Sequence, residues 1–110
     1  MTRGDIVIVA VKGAYSGKPR PALLIQSDLF NDTHASLTVC PITSDCIDAP
    51  LFRIAMPPGA RTGLRTPSQV MVDKVVSVPR TSIAKCIGRS DDNELHAVGD
   101  ALLRWLALAP

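Results

Sequence analysis

The sequence predicts a mainly β (α+β) fold, a small antiparallel barrel followed by one C-terminal helix, and three observations carry that prediction. Short apolar, β-branched runs recur along most of the chain. Turn-forming pieces separate them: Asn31-Asp32-Thr33-His34, Pro57-Pro58-Gly59, Thr62-Gly63 and Thr66-Pro67. A helical period enters only after Ser90. Strands this short and this evenly spaced suit a barrel, and 110 residues have room for one core, so residues 1–110 are read as a single domain.

Asp5-Ile6-Val7-Ile8-Val9-Ala10-Val11 is nearly continuous in apolar residues and reads as a strand buried on both faces or lying at a barrel seam. A turn at Lys12-Gly13 and Gly17 follows. Tyr15-Ser16-Gly17-Lys18-Pro19 then delivers a cation into Arg20-Pro21-Ala22-Leu23-Leu24-Ile25-Gln26, a run too short for a helix. Pro21 fixes its own φ and pushes Arg20 toward an extended conformation, so the arginine is held by backbone constraint. Further strands are expected at Leu37 to Thr43, Leu51 to Met56, Gln69 to Val76 and Ala84 to Ile87. Ser90 or Asp91 can cap the final helix, and Asp91-x-x-Glu94 fits a capping box. His96, Asp100 and Arg104 draw a polar stripe, which leaves Leu95, Val98, Leu102 and Leu106 to face inward.

No stretch carries about 18 unbroken apolar residues, and the start Met1-Thr2-Arg3-Gly4-Asp5 places an acid where a signal peptide needs its apolar stretch. A cytoplasmic protein with no membrane segment is expected. Cys40, Cys46 and Cys86 are odd in number and form no C-x-x-C pair, which argues against a disulfide framework and a zinc knuckle. The net charge of +2 hides an asymmetry. From Ala49 to Ser90 stand seven bases (Arg53, Arg61, Arg65, Lys74, Arg80, Lys85 and Arg89) against Asp73 alone, +6, while the remainder carries −4. Such a basic face suits phosphates or an acidic partner peptide, and its grip should weaken with salt.

Seven pieces stand in order and spacing: Arg3-Gly4-Asp5; Arg20-Pro21-Ala22-Leu23-Leu24-Ile25-Gln26; Pro41-Ile42-Thr43-Ser44; Gly63-Leu64; Ser68-x-Val70-x-Val72-Asp73-Lys74-Val75; Ile87-Gly88-Arg89-Ser90; and a Glu94-Leu95 helix. Together they resemble the MazF/PemK toxins over nearly the whole chain. The resemblance implies an SH3-like barrel of the CcdB/PemK type, a homodimer, and a metal-independent endoribonuclease that cuts single-stranded RNA and so stops translation and growth. It implies no cofactor. It also implies a cognate MazE-like antitoxin whose acidic, disordered tail lies along the toxin, with DNA autoregulation through that antitoxin. By the same resemblance Arg20 and Thr43 are catalytic, and Asp73 is the base proposed in the PemK branch. The chain departs from the pattern in three places. Its loop before Arg20 is short and has Ala14-Tyr15-Ser16 where an acidic Glu-Gln is common, Met71 replaces an arginine, and Lys74 replaces a glutamine.

The residue types agree with that chemistry. RNA supplies its own nucleophile, the 2′-hydroxyl, so a protein has to remove a proton, stabilise the phosphorane oxyanion and help the 5′-oxygen leave. A guanidinium offers a planar fork to two phosphate oxygens, which assigns Arg20 to the transition state. Thr43 would donate to the phosphoryl oxygen. For RNA binding the candidates are Tyr15, Lys18, Arg53, Arg61, Arg65, Ser68 and Lys74. Only Tyr15, Phe30, Phe52 and Trp105 are aromatic, so stacking is not the main grip, and Trp105 reads as a helix-packing residue. His34 and His96 lie outside the matched pieces. Two alternatives remain at this point: a non-enzymatic gyrase poison of the CcdB type, whose signal would sit near Trp105-Leu106-Ala107-Leu108, and an inactive barrel serving as a binding module.

Overall fold

Strands β1 (Asp5–Val9), β2 (Arg20–Leu24), β3 (Ser36–Thr43), β4 (Arg53–Met56), β5 (Ser68–Met71), β6 (Val76–Pro79) and β7 (Ile83–Arg89) pair into one antiparallel sheet. The structure is a computed structural model that describes residues 1–10 and 18–108. The expected turn at Lys12-Gly13 and Gly17, the end of the first expected strand at Val11, and Tyr15 lie outside the described residues. Helix α1 (Asp28–Asn31) follows β2, and helix α2 (Asp92–Trp105) ends the fold.

The sheet runs β4-β5-β3-β2-β1-β7, with β6 also paired to β3. No pairing joins β4 to β7 among the described residues, so the curled sheet is not closed by a continuous ladder. β3 is the pivot. One of its edges pairs with β2, while the other takes β6 along Ser36 to Val39 and β5 at Ile42 and Thr43. The sequence suggested one strand from Gln69 to Val76; the structure breaks it at a 3-10 turn, Val72–Lys74. Ile42 pairs with Val70 but Val39 pairs with Val76, so the register on β3 slips by three residues across that turn. The slip lets a single segment follow one edge of a bent strand.

Two apolar clusters flank the sheet. The larger gathers Ile6, Leu23, Cys40, Ile42, Val70 and Val72 against Val98 and Ala101 of α2; the smaller holds Ala22, Leu24, Leu37, Val39 and Val78. Each fully buried leucine or isoleucine contributes about 1.5–3 kcal/mol. Alternation along β3 divides the work: Cys40 and Ile42 point into the larger cluster, while Pro41 and Thr43 occupy the intervening, half-buried positions.

The capping box at α2 is complete, with Glu94 N donating to Asp91 Oδ1 at 2.7 Å and Asp91 N to Glu94 Oε1 at 2.8 Å. Val98 is buried and Leu95 and Leu102 pack partly buried, as the helical period requires. Leu106 departs from expectation: it is the C-cap and 49% exposed, beyond the last turn that faces the sheet. β2 stops at Leu24 rather than Gln26 because the Gln26 side chain substitutes for the ladder, accepting from Thr38 N at 3.1 Å and donating to Ser36 O at 3.3 Å. β4 begins at Arg53 rather than Leu51, since Phe52 N and Arg53 N both turn back to Ala49 O.

Candidate active site

Arg20 opens β2 and Thr43 closes β3. Those strands pair antiparallel through Ala22 and Pro41, and two residues further along both strands the register sets Arg20 opposite Thr43. Opposed residues of an antiparallel pair project to the same face. Both side chains line an open cleft of about 190 Å³ that also touches Ser44, Arg65, Thr66 and Ser68.

Thr43 is half-buried, and its Oγ1 accepts from Asp45 N at 3.0 Å. That bond occupies a lone pair, which leaves the hydroxyl proton to be donated into the cleft. Arg20 is exposed and enters no ion pair or hydrogen bond among the described residues, so its five donors are available to an anion. Arg65 is likewise exposed and lines the same cleft, and Lys18 is exposed just ahead of Arg20. Ser68 is buried and donates to Thr66 O at 2.9 Å, shaping the wall rather than presenting its proton.

Asp73 is placed elsewhere. It sits in the 3-10 turn between β5 and β6, packed toward α2, and it is not among the residues lining the cleft. Its charge acts instead on Cys40, whose thiol is pushed up to about 12, first by burial and second by Asp73. Cys40 points to the α2 side of β3, away from the face that carries Thr43. Asp73 Oδ1 is buried with no hydrogen-bond partner. Lys74 beside it is exposed.

The remaining basic candidates divide. Arg61 is engaged at α2: Nη1 donates to Glu94 Oε1 at 2.7 Å, Nη2 to Glu94 Oε2 at 3.0 Å, and the Glu94 hydrogen bond raises the guanidinium pKa further. Arg53 donates through Nη1 to Asp45 O at 3.2 Å and Gln69 Oε1 at 3.1 Å, bracing the loop after Thr43. Neither guanidinium lines the cleft. His96 pairs with Asp100 at 3.6 Å along α2, and Trp105 packs on Phe52 with ring centroids 5.6 Å apart. Ser44 and Thr66 line the cleft without having been singled out, and Gln69, paired opposite Thr43, was missed as well. Among the described residues, no group of three or more His, Cys, Asp or Glu is placed to hold a metal ion, and no helix is long and apolar enough to cross a membrane.

Comparison with known proteins decides the family. The family model described as PemK-like, MazF-like toxin of type II toxin-antitoxin system matches residues 2–106. The chain belongs to the PemK/MazF toxins. It is 49% identical over 109 residues to the "Probable endoribonuclease MazF" of Mycolicibacterium smegmatis, covering 99% of each chain. It is 28% identical to "Endoribonuclease EndoA" of Bacillus subtilis, covering 96% of this chain and 94% of that one. Among solved structures, the Mycobacterium tuberculosis toxin MazF-mt6 superposes with a TM-score of 0.82 at 22% identity, over 96% of this toxin and 99% of that chain. MazE-MazF (Form-II) from Deinococcus radiodurans superposes with a TM-score of 0.81 at 22% identity, over 99% and 97%. The shared fold is therefore the open, curled PemK/MazF sheet with its C-terminal helix.

Proposed function

We propose that this PemK/MazF toxin is an endoribonuclease that cleaves single-stranded RNA by attack of a 2′-hydroxyl on the adjacent phosphorus. The reading rests on one observation above all: Arg20 and Thr43 face one cleft from neighbouring strands, with Arg65 on its wall. It is supported by relatives named as endoribonucleases. In the reaction the 2′-oxygen forms a bond to phosphorus and the bond to the 5′-oxygen breaks. The products are a 2′,3′-cyclic phosphate and a free 5′-hydroxyl. Arg20 binds two nonbridging oxygens and holds the charge that grows on them, and Thr43 donates to one of the same oxygens. Among the described residues that line the cleft none is a carboxylate or imidazole; in this reading the 2′-hydroxyl proton passes to water and a second water protonates the leaving 5′-oxygen.

Solved relatives include MazE-MazF complexes, which supports a cognate antitoxin as partner. An acidic, disordered antitoxin tail would lie over the same cationic cleft and compete with RNA. A cytoplasmic homodimer, with its own expression set through antitoxin binding to DNA, completes the proposal.

The test is to incubate purified toxin with a mixed-sequence RNA in chelator, to map both ends of each product, and to run a gyrase supercoiling assay alongside. Cyclic phosphate and 5′-hydroxyl ends are expected, with gyrase unaffected. Intact RNA beside inhibited gyrase would replace this reading with a gyrase poison.

A further inference from the structure

Thr43 is only as useful as the loop that follows it. Residues 44–48 are all exposed, and Ile47, the loop's one large apolar side chain, is itself 47% exposed, so packing does little to fix their path. Hydrogen bonds do the fixing. Gln69 lies directly opposite Thr43 in the pairing of β3 with β5. Its amide closes a ring with the Ile47 peptide: Ile47 N donates to Oε1 at 3.1 Å and Nε2 donates to Ile47 O at 2.9 Å. Arg53 Nη1 joins that same Oε1, at 3.1 Å, to Asp45 O, at 3.2 Å. The Asp45 N–H in turn rests on Thr43 Oγ1.

We propose that Gln69, braced by Arg53, is a positioning residue that aims the Thr43 hydroxyl into the cleft. The inference rests on the endoribonuclease reading above and adds to it a residue that does not line the cleft. Physically, Asp45 N–H takes one lone pair of Oγ1, so the O–H must point away from that N–H. Released from that contact, a threonine hydroxyl at a strand end can turn to its own backbone instead. Gln69 and Arg53 hold the Asp45 and Ile47 peptides where that contact survives. A buried Arg53 Nε without a hydrogen-bond partner indicates that the guanidinium is held for its Nη1 bonds despite an unsatisfied donor. The sequence concealed this arrangement, because Gln69 meets Thr43 only through the β3–β5 register.

The test is steady-state cleavage of a short RNA by wild type, Gln69→Leu, Gln69→Glu, Thr43→Val and the double variant Gln69→Leu/Thr43→Val. For Gln69→Leu, kcat should fall about 10- to 100-fold with little change in KM, the signature of a misaimed rather than a missing group. Gln69→Glu keeps the acceptor for Ile47 N and Arg53, and should recover most of the rate. In the Thr43→Val background, Gln69→Leu should cost less than about twofold more, because the two act through one hydroxyl. Equal loss in both backgrounds, or an unchanged kcat in Gln69→Leu, would overturn the proposal while leaving the endoribonuclease reading intact. An unchanged kcat in Thr43→Val would defeat both. Amide exchange on wild type needs no variant to fold: Ile47 N–H should exchange at least about tenfold more slowly than Cys46 and Asp48. Equal rates would count against the clamp.

Discussion

Arg61 and Glu94 grip each other through two hydrogen bonds of 2.7 and 3.0 Å, joining the segment before β5 to the first turn of α2. Arg61 also donates to Arg89 O at 3.1 Å. One of the RNA-binding candidates of the sequence is thus tied to the scaffold. The side chain is 42% exposed, so solvent screens the pair, and Arg61→Ala should destabilise only slightly. Glu94→Ala also opens the capping box and should cost about 0.5–2 kcal/mol. Urea titration measures both losses. RNA affinity by filter binding should stay within about threefold of wild type for Arg61→Ala.

Arg65 should behave in the opposite way. It is exposed on the cleft wall and enters no ion pair among the described residues. Arg65→Ala should leave stability within about 0.5 kcal/mol of wild type, since nothing packed depends on it. Binding of single-stranded RNA should weaken, and the slope of log K against log salt should become shallower by about 0.7. A slope equal to that of wild type would remove Arg65 from the interface.

Two chain segments cross so closely that only glycine fits. A Cβ on Gly63 would stand 2.2 Å from Ile87 O, and one on Gly88 would stand 2.3 Å from the carbonyl carbon of Thr62. Gly63 also has a φ of +72°, which side-chain-bearing residues adopt at a cost of roughly 1–3 kcal/mol before any clash. Gly63→Ala should therefore lose more than about 3 kcal/mol, and calorimetry should show either a Tm lowered by more than about 10 °C or no folded state. A Tm within a few degrees of wild type would mean that the segments can part without harm.

Cys40 makes stability depend on alkaline pH. Burial, with Asp73 adding to it, holds the folded thiol at about 12 against an ordinary value of 9.0. The neutral thiol is favoured in the folded state, so its contribution is complete below pH 9 and is lost as pH rises from 9 toward 12. The slope from this one group is at most about 1.4 kcal/mol per pH unit in that window. Urea unfolding at pH 8.5 and 10.5 should show wild type losing more stability than Cys40→Ala. Identical losses would show that the thiol ionises as readily folded as unfolded.

Much of the site was legible in the sequence because backbone chemistry marked it. Pro21 fixes the entry to β2 and so the place of Arg20; Pro41-Ile42-Thr43 marks the end of β3; and Asp91-x-x-Glu94 announces α2. What sequence could not give was register. The apolar pattern of Gln69 to Val76 looks like a single strand, and only the three-residue slip against β3 reveals the turn that holds Asp73 near Cys40 and outside the lining of the cleft. Arg61 and Arg53 were equally opaque. A count of charge along the chain shows bases without showing that Glu94, 33 residues away, or Gln69, 16 residues away, already engages them.

The central claim is that Arg20, set beside Thr43 across β2 and β3, stabilises the phosphorane on the way to cleavage. Single-turnover cleavage of one RNA by wild type, Arg20→Lys and Arg20→Ala tests it most directly. Loss of a transition-state donor predicts a fall of about 10²–10³ in rate for Arg20→Ala, with Arg20→Lys between, because an ammonium keeps the charge but not the fork. An Arg20→Ala toxin that cuts as fast as wild type would contradict the account.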